Sequence, residues 1–426
     1  MGGIDVKAFR VRISLVAVAG LLACTTAVAG SGGSAGATAR PQLPVAFTDT
    51  VVAAVPAPVA LAETPDGRLL VADQTGKVRV IKNGTLLTRP ALNISTKVCS
   101  NGERGLLGVA VDPNFAVNGF VYVYYTFEKF AGCNTFVDIP VNRVSRFRMV
   151  GDIMKKPTET ILIDEIPNYA GNHNAGFVGF GHDGMLYISV GDGGCDYTGV
   201  TGCAADNGIS RHDNTPLGKV LRITPSGGIP ADNPFTGAGT ARCNQGAIAD
   251  GMKCQETYMH GFRNPFRLAF DPNSGPTRLF VNDVGQDRWE EIDEAVKGAD
   301  YGWNVREGHC ATGSTTNCGP PPAGMTNPIF DYLHANGCSA ITGGAFVPDG
   351  VWTAKFHGGY FYSDYICHQI FLLRPDGVGG WTSSTFASGL AGGGPVALFF
   401  APHGTKTSLY YTTYANGGEV HVIDRT

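Results

Sequence analysis

One phrase recurs about six times between Leu61 and Asp424 and limits the folds open to this chain. An apolar run meets Asp-Pro or Pro-Asp-Gly, a Leu/Tyr/Val strand follows, and often a turn leads into a second strand. The clearest copy is TPDGRLLVADQTGKVRVI, Thr64 to Ile81; others are GVAVDPNFAVNGFVYVYYT, FVGFGHDGMLYISVGDGG, LAFDPNSGPTRLFVNDVG, GAFVPDGVWTAKFHGGYFYSDY and ALFFAPHGTKTSLYYTTY. Apolar stretches broken by such turn residues mark hairpins. Hairpins repeated along a chain predict an all-β, six-bladed β-propeller of four-stranded antiparallel blades. Such a ring takes 426 residues as one domain, because each blade packs only on its neighbours. The segment Val45 to Val55 is expected to join the last blade as a closing strand, since closure removes two sheet edges.

Composition agrees with many turns and few solvated helical faces. Glycine, at 59 residues, is about twice its usual share of ~7%, and charged residues, at 16%, fall below the usual ~25%. A net charge of −4 with no long basic run gives no electrostatic basis for nucleic acid or an anionic membrane surface.

The N-terminus reads as an export signal over residues 1–29. Lys7, Arg10 and Arg12 precede an apolar stretch from Ile13, and Ala27-Val28-Ala29 is a small-x-small cleavage site. Leu21-Leu22-Ala23-Cys24 also has the form of a lipobox in which Cys24 would carry lipid; the other reading makes Cys24 a small apolar residue of the signal. Residues 30–42 form a Gly/Ser/Ala-rich linker, leaving 43–426 for the propeller. No later segment is long and apolar enough to span a membrane, so the expected location is secreted, periplasmic or at the cell surface. Export accounts for the ten cysteines other than Cys24. They fall as near neighbours along the chain, which favours the local pairs Cys99/Cys133, Cys195/Cys203, Cys243/Cys254, Cys310/Cys318 and Cys338/Cys367. A zinc cluster is the rival reading, and no Cys-x-x-Cys spacing supports it.

Four segments carry residues suited to chemistry. In NYAGNHNAGFVGFGHDGMLYISVGDGG, His173 sits in a polar turn before one strand and Asp192 in a turn after the next. An imidazole at the axial mouth of a blade can act as a general base; it can equally bond only its own loop. In HGFRNPFRLAFDP, Arg263 offers a planar fork for carboxylate or quinone oxygens, or ties two blades through backbone carbonyls. In VNDVGQDRWEEIDEAVKGADYGWNVREG, the density of Asp283, Asp287, Glu290, Glu291 and Asp293 suits Ca²⁺, or a solvated acidic loop. Glu103 and Arg104 stand in a Gly-flanked turn before an inner-strand run.

Taken together, the phrases GERGLLGVAVDPNF, NHNAGFVGFGHDGMLYISVGDGG, LGKVLRI, GFRNPFRLAFDP, DVGQDRWEEIDEAVKGADYGW and ITGGAFVP resemble the soluble glucose dehydrogenase / aldose sugar dehydrogenase (glucose/sorbosone dehydrogenase) quinoprotein family. The resemblance runs from about Val45 to Asp424. It implies a six-bladed propeller holding pyrroloquinoline quinone (PQQ) and Ca²⁺ on its axis, and hydride transfer from the C1 hydroxyl of a sugar to the quinone, with an external electron acceptor afterwards. It implies His173 as general base and Asp192 as the acid that orients it. Arg263 and Asn264 match quinone-contacting residues. Gly285 and Gln286 match backbone carbonyls at a cofactor-side Ca²⁺. Glu290, Glu291 and the Tyr301 carbonyl match a structural Ca²⁺ site, and Glu103 a substrate-side position. The chain departs from the pattern at Phe266, where the family has Gln, at Pro348, where it has a cation, and in GLAGGGPVALFF, which lacks the family's arginines. Several phrases are also similar to the hedgehog-interacting-protein branch. That branch implies the alternative of a catalytically silent propeller binding carbohydrate or protein through its loop face.

Overall fold

The computed structural model describes residues 41–135, 137–194, 208–390, 393–415 and 417–426. The expected signal peptide, the linker up to residue 40 and the Cys195/Cys203 pair lie outside the described residues.

The described chain is almost entirely β. Six antiparallel sheets follow one another in sequence, and the first strands of the six, Pro58–Glu63, Leu106–Val111, Val178–Phe180, Pro265–Phe270, Ile341–Phe346 and Pro395–His403, surround a common axis. In the first blade two short strands, Thr85–Leu86 and Leu92–Asn93, share the outer position against Lys77–Lys82. The other five blades have four strands each. The ring closes as the sequence predicts: Phe47–Ala54 pairs antiparallel with Glu419–Arg425 as the outermost strand of the last blade. Phe47 then packs edge-on against Trp352 at 4.8 Å and Phe386 at 5.2 Å in the fifth blade.

The apolar residues of the described chain form six clusters, one at each blade–blade seam. The strand period of two explains how one strand serves two seams. In Phe120–Phe127, Val121, Val123 and Tyr125 face the first blade, while Tyr122 and Tyr124 face the third. A strand buried on both faces reads as a continuous apolar run. Leu69–Asp73, Leu186–Val190, Leu279–Asp283 and Tyr360–Asp364 are buried throughout, whereas the outer strand Trp381–Ala387 exposes four consecutive residues. Four of the expected disulfides are present: Cys99–Cys133, Cys243–Cys254, Cys310–Cys318 and Cys338–Cys367.

Arg267 crosses the axis. Its guanidinium donates to the carbonyls of Val59 (2.6 Å) and Phe266 (2.7 Å), and more weakly to those of Leu107 and Ala175 (both 3.4 Å). One side chain thus links the inner segments of the first four blades and separates a cavity at each end of the ring. Burial pushes its pKa down to about 9.

Candidate active site

Val178–Phe180 and Leu186–Val190 form a hairpin with Val178 opposite Ile188. The turn before the first strand and the turn after the second therefore share one end of the blade. That places His173 beside Asp192, with Nδ1 and Oδ1 2.7 Å apart. Gly191 permits the approach, since a Cβ there would fall against the His173 carbonyl oxygen. Asp192 is fully buried. Its Oδ1 also accepts the Gly194 N–H (2.9 Å), its Oδ2 accepts the Trp303 indole N–H (3.1 Å), and its own N–H donates to the Arg263 carbonyl (2.8 Å). A carboxylate acceptor at Nδ1 places the ring proton there and leaves the lone pair on Nε2. No described residue bonds Nε2.

The loop that carries His173 is over-determined. His173 and Ala175 both have φ of 50°, a left-handed conformation costly for residues with a Cβ. The His173 N–H donates to Glu103 Oε2 at 2.7 Å. Beneath the loop lies a buried amide network. Thr126 donates to Asn142 Oδ1 (2.7 Å), Asn142 donates to Asn174 Oδ1 (3.0 Å), and Tyr124 donates to the Asn174 carbonyl (3.2 Å). Arg104, 1% exposed, turns inward to Asn168 (3.1 Å), Thr135 (2.8 Å) and the Cys133 carbonyl (3.2 Å). Glu103 and Arg104, neighbours in one turn, thus serve opposite sides of it.

Beside this loop an axial cavity of about 260 Å³ opens, with Glu103, Asn264, Phe266, Arg267, Tyr365 and Tyr414 in its lining. Asn264 Oδ1 accepts the Ala175 N–H at 3.1 Å. Arg263 reaches Gln286 Oε1 and the Val284 carbonyl, both at 2.9 Å, and its guanidinium lies over the Trp303 ring at 5.7 Å. Both backbone N–H groups of Arg263 and Asn264 donate to the Asp283 carboxylate (2.9 and 2.6 Å). Burial still pushes the Asp283 pKa up to about 7. Phe266 covers the Arg267 guanidinium at 4.3 Å. Arg267 meets only backbone carbonyls, and its buried Nε has no partner among the described residues. Pro348 follows the exit end of its inner strand and lines the cavity at the opposite mouth, of about 370 Å³. The missing cation expected there is therefore missing from the wrong end to affect this cavity.

The acidic segment is a strand, Trp289–Glu294, rather than a loop. Adjacent carboxylates consequently point to opposite faces. Glu290 turns to His334 Nε2 (2.7 Å) and accepts the N–H groups of Ile341 (2.9 Å) and Gly285 (3.3 Å). Glu291 lies in register with Asp283 on one neighbouring strand and Asp331 on the other, and Asp293 follows on the same face. Neither carboxylate oxygen of Asp293 has a partner among the described residues. Burial and then mutual repulsion hold the pKa values of Glu291 and Asp293 well above the carboxylate range. Several buried carboxylates without a cation match the charge and oxygen chemistry of a hard divalent ion. The Tyr301 hydroxyl donates to the Glu294 carbonyl at 2.6 Å, and its ring stacks on Phe262 at 4.7 Å. The N–H of Gln286, with those of Asp287, Arg288 and Trp289, donates to Glu307 Oε1 at 2.7–3.1 Å, a role the sequence reading did not assign. The tight convergence of Cys338, Asp364 and Cys367 is already used: the sulfurs are bonded to each other, and Asp364 accepts the N–H groups of Ile366 and Cys367.

Comparison with known proteins points to one family, whose relatives include both dehydrogenases and HIPL proteins. The family model described as Glucose / Sorbosone dehydrogenase matches residues 55–376. The HIPL1 protein of Arabidopsis thaliana is 28% identical over 324 residues, covering 64% of this chain and 42% of that protein. Quinoprotein glucose dehydrogenase B of Acinetobacter calcoaceticus is 27% identical over 314 residues, covering 70% of this chain and 60% of the relative. The chain thus spans about half the length of the curated relatives it matches. The PQQ-bound aldose sugar dehydrogenase of Streptomyces coelicolor superposes with a TM-score of 0.64 at 23% identity, covering 90% of this chain and all of that one, a likeness of fold.

Proposed function

The chain belongs to the glucose / sorbosone dehydrogenase family, and from that premise we propose that it is an exported sugar dehydrogenase that uses PQQ and Ca²⁺. The observation that carries this reading is His173, held by the fully buried Asp192, on a loop whose Asn174 and Ala175 line the axial cavity. One lining group suits an anionic, planar ligand: Arg267 has no carboxylate partner and an orphaned Nε among the described residues, although Glu103 brings the opposite charge to the same lining. Arg263 and Asn264 would hold the quinone end, with Gly285 and Gln286 beside them. Glu291, with Asp283 and Asp293 on the same sheet face, would take the structural Ca²⁺ together with the Tyr301 carbonyl; Glu290, on the opposite face and bonded to His334, would stand apart from that ion. When bound, the quinone would supply the two-electron acceptor for hydride.

The chain's own residues would do the rest. Asp192 holds the imidazole through Nδ1, so Nε2 can take the hydroxyl proton of the sugar. Glu103 fixes the His173 backbone and presents its carboxylate at the cavity for a sugar hydroxyl. Tyr365 and Tyr414 supply apolar walls with polar tips. The four disulfides fit an oxidising compartment. No helix among the described residues is long and apolar enough to cross a membrane. Release by cleavage after Ala29, or lipidation at Cys24, is part of the same proposal.

A second reading is a propeller that binds carbohydrate or protein without oxidation. It is favoured by the sparse charge of the cavity, where Glu103 and Arg267 are the charged lining residues among those described. One experiment separates the two. The purified protein is titrated with PQQ in Ca²⁺ buffer, followed by absorbance, and sugars are then added with an artificial electron dye. Saturable quinone uptake and dye bleaching are expected. Absence of uptake, with sugar binding retained by calorimetry, selects the binding propeller.

A further inference from the structure

Trp303 touches both arms of the site, although it follows Asp192 by 111 residues. It is 2% exposed, so it is no wall for a ligand. Its main-chain N–H donates to the Gly261 carbonyl at 2.9 Å, which seats it below the turn that carries Arg263. Its indole N–H donates to Asp192 Oδ2 at 3.1 Å, and its ring face lies under the Arg263 guanidinium. Asp192 has two oxygens with different duties. Oδ1 accepts His173 Nδ1 and the Gly194 N–H, while Oδ2 is held by this indole. Indole is a donor only, so the bond has one polarity and no competing tautomer. Without it, the carboxylate would keep its place on Oδ1 but gain freedom about its own axis, and Oδ2 would be buried without a donor among the described residues.

We infer that Trp303 is a positioning residue: its indole N–H fixes the Asp192 carboxylate that orients His173, and its ring face seats Arg263. The step it serves rests on the reading of His173 as base; the juxtaposition itself does not. Trp303→Phe separates the two contacts, because phenylalanine keeps an aromatic face for Arg263 and removes only the donor.

The test uses the full chain without added cofactor, so that it stands even where no turnover is found. The His173 Nδ1 proton in its bond to Asp192 should give a downfield NMR resonance, identified by its loss in His173→Gln. In Trp303→Phe that resonance should shift and exchange with water at least several-fold faster, while the other folded-state resonances persist. The reciprocal measurement needs no change at Trp303. The chain has four tryptophans, and the indole N–H signal of Trp303 should move and lose protection in Asp192→Asn, with those of Trp289, Trp352 and Trp381 unmoved. Where turnover is measurable, Trp303→Phe should lower kcat roughly three- to thirtyfold with KM and quinone affinity within about twofold. A structural role alone would lower the melting temperature and leave both resonances in place. That outcome, or a Trp303 indole signal indifferent to Asp192→Asn, overturns the assignment.

Discussion

Replacing Cys99 and Cys133 together by alanine should lower the free energy of unfolding by about 3.8 kcal/mol, and the same change at Cys310 and Cys318 by only about 2.5 kcal/mol. A cross-link removes loop-closure entropy from the unfolded chain, and that entropy grows with the logarithm of the residues enclosed. The first bridge spans 34 residues and the second 8. The difference between the variants is 1.5RT ln(34/8), about 1.3 kcal/mol at 25 °C. Cys99 and Cys310 are equally enclosed at 0% and 1% exposure, while Cys133 is half-buried and Cys318 exposed. Native contacts push in the same direction: the longer loop also supplies the Cys133 carbonyl and Thr135 hydroxyl that hold Arg104. The assay is equilibrium unfolding in urea with the remaining bridges oxidised, both variants and the parent fitted with a common m-value. A short-loop variant that loses as much as the long-loop variant, or more, refutes the entropic argument for these staples.

His173→Gln should leave the fold intact and cut dye-linked sugar oxidation by roughly 10²–10⁴, with Asp192→Asn costing less; parent-like turnover in His173→Gln places the base elsewhere. Chelation of Ca²⁺ should lower the melting temperature, since a ligand at a hundred times its Kd stabilises the folded state by about 2.7 kcal/mol. Asp293→Asn should blunt that response, and a melting curve unmoved by chelator, with no calcium by elemental analysis, removes the metal. Phe47→Ala should cost about 3–5 kcal/mol by opening a void among Trp352, Phe356 and Phe386. A loss under 1 kcal/mol in denaturant unfolding contradicts the role of the closing strand as a packed seam.

The number of blades and the four described disulfides were legible in the sequence because each is written locally; the closing strand, whose partner lies at the other end of the chain, was legible because a ring of blades must hide its two sheet edges. A hairpin, its turn and a short cysteine spacing all fall within a few dozen residues. The meeting of His173 and Asp192 belongs to the same class. They lie 19 residues apart, and the ends of one hairpin bring them together. The acidic segment was legible in composition but not in direction. WEEIDE lacks the apolar–polar alternation of a strand, and only the sheet register shows that Glu290 faces His334 while Glu291 faces Asp283 and Asp331. Other contacts left no trace in the sequence. The bond from Trp303 to Asp192 and the reach of Arg267 to Val59, 208 residues away, exist because closure of the ring brings six inner strands to one axis. Local propensity sets turns and strands, since each depends on neighbouring residues. Which buried groups share an axis, and which carboxylate is left without a cation, depends on how blades distant in sequence are seated around it.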